Sequence, residues 1–227
     1  MDAKERNHIF QCIAENFLEY GFVYKNSRKI MIRTNNDLEH SISFGQYRTG
    51  QAVINAGINS NKFYSWLISD PDYSDRIGEF IIVSRVGNTF KTGLPYKVFF
   101  PIETPETQAE IIQEIIEDAL PLFEKFESMD SFCQELTQGK TPGIYGPQPE
   151  RLALYYIWKD RLDLAKSYLR SCLQFYGDNI SISYHESLEI LIKHNSSTAP
   201  AFHNYPGHEY GKKLALVAFK YKLKILF

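Results

Sequence analysis

Residues 39–60, EHSISFGQYRTGQAVINAGINS, carry the clearest alternation of apolar and polar positions in the chain. Ile42, Phe44 and Gln46 fall on one side of the run, and Ser41, Ser43, Gly45 and Tyr47 on the other. After Arg48-Thr49-Gly50 the alternation resumes with Ala52, Ile54 and Ala56. Two period-two runs joined by a glycine-bearing break predict a β-hairpin with one apolar face. Upstream, Ile9, Phe10, Ile13, Ala14, Phe17 and Leu18 repeat at helical spacing from about Ala3 to Tyr20, and Gly21 tolerates the positive φ that stops a helix. FVYKNSRKIMIRTNNDLEH predicts two strands about a polar turn, with Asn35-Asn36-Asp37 leading into the hairpin. NKFYSWLISDPDYSD predicts a short helix closed by Asp70-Pro71. EFIIVSRV and YKVFFPI predict two further strands joined through Gly87-Asn88 and Gly93. A helix followed by consecutive strands predicts an α+β fold, an antiparallel sheet with packed helices, rather than alternating βαβ units.

The second half of the chain has helical periodicity. Thr104 before Pro105 is an N-cap followed by a first-turn proline, and the helix it opens is expected to run to about Ala119, where Pro121 interrupts it. Ile111, Ile112, Ile115, Ile116 and Ala119 give that helix an apolar side. Helix-like sequence resumes at Met129 and is broken by GKTPGIYGPQPE, whose glycine and proline density marks a joint at Gly139–Pro149. The expected division is an α+β sheet domain with a closing acidic helix over 1–138 and an all-helical C-terminal subdomain over 149–227. PERLALYYIWKDRLDLAKSYLRSCLQFYG predicts two helices about a turn at Lys159–Arg161. Ala153, Tyr156 and Ile157 face Leu164, Ala165, Tyr168, Leu169 and Cys172. This pair resembles one unit of a tetratricopeptide array, but a stable array needs about three repeats, so a plain helical subdomain is the simpler expectation.

The order FLEYGFVYKNSRKIMIR, SISFGQY, VINAGI and FYSWL resembles a bacterial family of uncharacterised proteins, domain of unknown function 4304. The resemblance covers roughly Ala3 to Pro101 and implies an α+β sheet domain with no known activity. In bacterial families of this kind a toxin-neutralising, immunity-type role is a common expectation. The long helical C-terminal half departs from that family's compact pattern.

The most unusual charge pattern lies between Lys97 and Lys125, where no Lys, Arg or His occurs among seven acids: Glu103, Glu106, Glu110, Glu114, Glu117, Asp118 and Glu124. Glu106, Glu110, Glu114 and Asp118 repeat every fourth residue opposite the isoleucines, so they are expected to form an outward-facing stripe. Like charges at this spacing oppose helix formation by a few tenths of a kcal/mol each. Asp118 is also unfavourable near a helix C-terminus. Such a face steers toward a basic protein partner, the alternative being a solubilising surface. The reversed pattern, GKKLALVAFKYKLKILF, holds Lys212, Lys213, Lys220, Lys222 and Lys224. It reads either as a helix or as a charged edge strand, and offers intramolecular charge balance, the simplest account, or a nucleic-acid contact.

The rest of the composition narrows the chemistry. A net charge of −2 supplies no global basic field for nucleic acid, and no apolar run approaches a membrane span. Three separated cysteines, Cys12, Cys133 and Cys172, without C-x-x-C spacing, fit reduced thiols in a cytoplasmic protein. Cys133 is expected to be the more exposed. No nucleotide-binding, metalloprotease or serine-hydrolase motif occurs, and no cofactor is expected. Arg33 and Arg48 are candidates for a forked anion grip, the core of an alternative enzyme reading, against the simpler wet face of a one-sided sheet. His203 and His208 flank Pro206-Gly207 and are expected to be loop histidines rather than metal ligands. His40, beside Glu39, is expected to be a surface residue at a strand end.

Overall fold

The computed structural model describes residues 1–46, 48–73, 80–86, 97–128, 130, 133–134, 150–175 and 177–223. The chain divides into two units. The first comprises Met1–Tyr64, Gly78–Met129 and Pro142–Tyr145, and the second Ser65–Ile77, Asp130–Thr141 and Gly146–Phe227. Ser65–Ile77, expected within the sheet domain, thus groups with the helices. The expected joint at 139–149 lies outside the described residues, as do Tyr47, Gly87, Asn88, Gly93 and Lys224.

The first unit opens with helix α1 (Ala3–Glu15). Asp2 accepts from the Lys4 and Glu5 amides while Glu5 reaches back to the Asp2 amide, a capping box. The helix is shorter than its periodicity implies. Asn16 ends it, its side-chain amide donating to the carbonyls of Cys12 and Ile13, and the chain then turns to Gly21 at φ 80°. Strands β1 (Val23–Lys25), β2 (Ile30–Asn35), β3 (Leu38–Gln46), β4 (Ala52–Asn59) and β5 (Phe80–Arg85) form one antiparallel sheet in the order β1-β2-β3-β4-β5. Asn36, at φ 55°, makes the tight turn between β2 and β3. Of the expected strand YKVFFPI, the described part forms only a bridge between Phe99 and Ala52. Pro101, with no N–H to donate, follows at once and cannot extend the ladder.

Register places Met31 opposite Ile42 and Ala56, and Arg33 opposite His40 and Ile58. This face of the sheet, with Phe44 and Ile54, is buried beneath Phe10, Ile13, Phe17 and Phe22, and Phe10 stacks on Phe44 at 4.9 Å. The opposite face carries Ser43 and Asn55, half-buried and hydrogen-bonded at 3.4 Å. The polar side of the hairpin is therefore not the wet face expected: Ser43, Gly45 and Asn55 are half-buried, while Ser41 and Asn59 are buried, the Ser41 hydroxyl donating to the Gly57 carbonyl.

Helix α2 (Asn61–Ile68) starts at Ser60, whose hydroxyl accepts from the Phe63 amide. The second long helix of the first unit begins as α3 (Pro105–Glu114), capped by Thr104, which accepts from the Thr107 amide. It passes through a π turn (Ile115–Ala119) into α4 (Leu120–Glu127). Pro121 therefore does not interrupt it. The wider π turn just before the proline accommodates the ring and its missing donor, and the helix continues for two more turns. Ile111, Ile115, Ala119, Leu122, Phe123 and Phe126 are its buried side, while Ile112 and Ile116 are only half-buried.

The second unit contains α5 (Glu150–Trp158), α6 (Leu162–Phe175), α7 (Asp178–His194), the short α8 (Pro200–His203) and α9 (Glu209–Lys220). Asp160 at φ 58° turns α5 into α6, within the expected turn, and Ala153, Tyr156, Ala165 and Leu169 are buried. α7 packs on α6 and α9, and α9 returns to α5, so the helices close on themselves. A tetratricopeptide array stays open, each repeat touching only its neighbours. Gly211 sets the closest approach: a methyl group there would lie 2.6 Å from the Ile180 carbonyl oxygen and 2.9 Å from the Tyr184 amide nitrogen.

Candidate functional site

The acidic helix keeps its apolar side docked and its acids largely outward, with one modification the sequence pattern did not show. Lys97, which precedes the helix in the chain, folds back onto it. Its ammonium lies 2.9 Å from Glu110 and also pairs with Glu114. Two members of the expected stripe therefore share a cation. Glu110 remains half exposed, whereas the Glu114 side chain is 20% exposed. Lys97 is held charged against its partial burial by these two carboxylates. Glu103, Glu106, Glu117 and Glu124 are exposed and Asp118 is half-buried. Because the π turn intervenes, Asp118 leaves the straight four-residue repeat begun by Glu106, Glu110 and Glu114. The exposed acidic surface is thus centred on Glu106, Glu110 and Glu117, and Gln113 donates to Glu117 at 2.7 Å.

Arg33 and Arg48 do not come together. Arg33 pairs in register with His40, while Arg48 follows the far end of β3, so the strand separates them by about 20 Å. Arg33 is also engaged. Its guanidinium lies over the rings of Phe22 (5.2 Å) and Phe123 (5.9 Å), its Nη1 donates to the Tyr20 carbonyl, and its Nε donates to His40 Nδ1 at 3.3 Å. Glu127 of α4 reaches within 3.8 Å of the same guanidinium. One cation thereby ties the turn after α1, two strands and α4.

His40, expected at the surface, is fully buried, its ring stacked on Phe123 at 4.7 Å and 5°. Its place in the alternation carried the signal, because it shares parity with Ile42 and Phe44. Burial, aided by the Arg33 charge and opposed by Glu127, lowers its pKa to about 4. With Nδ1 accepting from Arg33, the neutral ring carries its proton on Nε2, which has no hydrogen-bond partner among the described residues.

The basic C-terminal stretch is helical through Lys220, with Tyr221 and Lys222 in a turn, and three of its lysines are committed within the second unit. Lys212 donates to the carbonyls of His203 and Tyr205, Lys213 faces Glu150 and Glu209, and Lys220 pairs with Asp70 and Asp72. His208 caps α9 through Nδ1, which accepts from the Tyr210 amide. Among the described residues, no group of three or more potential metal ligands gathers. Nor is any described helix long and apolar enough to cross a membrane. Cys133 is buried rather than exposed, its thiol pushed up to about 11 chiefly by burial, and Cys172 likewise to about 12. Cys12 is half-buried with its sulfur 3.8 Å from His8 Nε2. Compared with family models, curated proteins and solved structures, the chain matches none.

Proposed function

We propose that the protein is a binding module whose sheet unit docks a positively charged protein through Glu106, Glu110 and Glu117, in a toxin-neutralising, immunity-type role. The observation that carries this reading is the exposure of these acids on a helix whose opposite side is locked into the core by Ile111, Ile115 and Phe123. The surface is held rigidly, and the single ammonium of Lys97 is shared by Glu110 and Glu114. A field of one sign on a fixed scaffold accelerates encounter with a basic partner and opposes acidic ones. The enzyme alternative loses its main support, because Arg33 is engaged internally and Arg48 stands at the other end of its strand.

The test is affinity capture from a bacterial lysate at low and at moderate salt, with a Glu106→Lys/Glu117→Lys double variant as control. These positions are exposed and outside the Lys97 pair, so their reversal leaves the core intact. A basic protein retained at low salt, weakened at moderate salt and lost with the variant is the expected result. Retention by the variant equal to that of the native chain rejects the acidic face as the docking surface.

A further inference from the structure

Glu150, the first residue of α5, is 3% exposed, although carboxylates are almost never buried without a strong partner. Its Oε2 makes no hydrogen bond, and its Oε1 lies 3.8 Å from the Lys213 ammonium on α9, within charge attraction but beyond hydrogen-bond reach. Lys213 is itself divided, because Glu209, one turn earlier on α9, approaches it at 3.6 Å. Among the described residues, the other titratable and charged groups acting on this place are Arg151 on α5, Cys172 on α6, and Tyr73, whose hydroxyl is buried without a described hydrogen-bond partner. Tyr73 also feels Asp70 and Asp72. None of these donates a hydrogen bond to Oε2 among the described residues.

We infer that Glu150 and Lys213 form a proton-sensitive joint between α5 and α9, closed when the carboxyl is protonated and loosened when it is charged. A neutral carboxyl can be buried with one modest hydrogen-bonding deficit. A charged one needs full compensation, and a single shared ammonium at 3.8 Å does not provide it. Burial accordingly raises the Glu150 pKa to about 6 from an ordinary 4.5, against the opposing pull of its own backbone amide, Lys213 and Arg151. The sign follows. Between those two values the folded unit holds a proton that the unfolded chain has released, so this residue's contribution to stability declines as pH rises from about 4.5 through about 6. The joint lies in the range where cellular pH changes occur, and it acts on the contact that closes the helical ring.

Both tryptophans, Trp66 and Trp158, belong to the second unit, so their emission follows its unfolding in the intact chain. Urea unfolding is measured by tryptophan emission at pH values from 4.5 to 8 for the native chain, Glu150→Gln and Lys213→Met. The difference between the native and Gln profiles isolates Glu150 from every other titrating group. The expected result is an unfolding constant that grows about fifteenfold more across this range in the native chain than in Glu150→Gln. Lys213→Met, which removes the nearest cation, should extend the decline to higher pH. Superposable native and Glu150→Gln profiles overturn the proposal. If the Gln variant does not fold, a Lys213→Met profile identical to the native one overturns it equally.

Discussion

A proton added to His40 would place a second positive charge against the Arg33 guanidinium, in the interior of the sheet unit and against the face of Phe123. Glu127, 3.9 Å from Nδ1, compensates in part, but burial and Arg33 prevail and the pKa falls to about 4. The unfolded chain takes up this proton near 6.5, so the sheet unit loses stability as pH falls from about 6.5 to about 4, by no more than about 3 kcal/mol from this group. The His40 ring nitrogens, followed by NMR, should keep neutral-form shifts down to about pH 5. Titration at an ordinary histidine value would contradict the buried Arg33–His40 arrangement. His40 was legible in part, since parity with Ile42 and Phe44 places it inside. Its position at a strand end beside Glu39 pointed the other way, and what tipped the balance was a partner on another strand, which periodicity cannot display. Lys97 was hidden for the same reason. It is separated from Glu110 and Glu114 by a turn whose path the sequence does not specify.

At the scale of elements, local chemistry was the readable part. Thr104-Pro105 starts α3, Asn36-Asp37 turns the β2–β3 hairpin, and Asp160 falls in the expected turn between α5 and α6. These features are fixed by neighbouring residues. The path through Pro121 was less readable, because a proline ends most helices and only the π turn ahead of it allows continuation. The acidic stripe inherits this uncertainty. Its four-residue spacing is a property of an unbroken α-helix, and the π turn shifts Asp118 away from the line. Close packing of α7 on α9 depends on Gly211, whose missing Cβ admits the Ile180 carbonyl. Gly211→Ala should therefore separate the two helices and destabilise the second unit by about 1–3 kcal/mol, seen as a lower urea midpoint in tryptophan emission. An unchanged midpoint would mean that the helices do not approach this closely.

Across the whole molecule, the buried side chains His40 and Glu150 have opposite consequences. Acid weakens the sheet unit through His40 and relieves the helical unit through Glu150. The fold class was readable because antiparallel strands join their sequence neighbours, so the order β1 to β5 follows the chain. The division into units was not, because Ser65–Ile77 leaves the sheet sequence to join helices that begin far downstream. Lys220 fastens that segment by pairing with Asp70 and Asp72. Lys220→Met would leave two half-buried acids without their cation, and it should destabilise the second unit by about 1–3 kcal/mol, seen as a lower tryptophan-monitored urea midpoint. A midpoint within error of the native chain would show that solvent holds these acids equally well.

That pairing also has a meaning in time. Asp70 and Lys220 stand 150 residues apart. On a ribosome adding about 5–20 residues per second, Asp70, Asp72 and Tyr73 emerge roughly 8–30 s before the lysine that neutralises the two acids has been made. The strands of the sheet can pair in the order they appear, whereas this short acidic segment must wait uncommitted while those 150 residues are added. The helical unit is completed only when its last helix arrives.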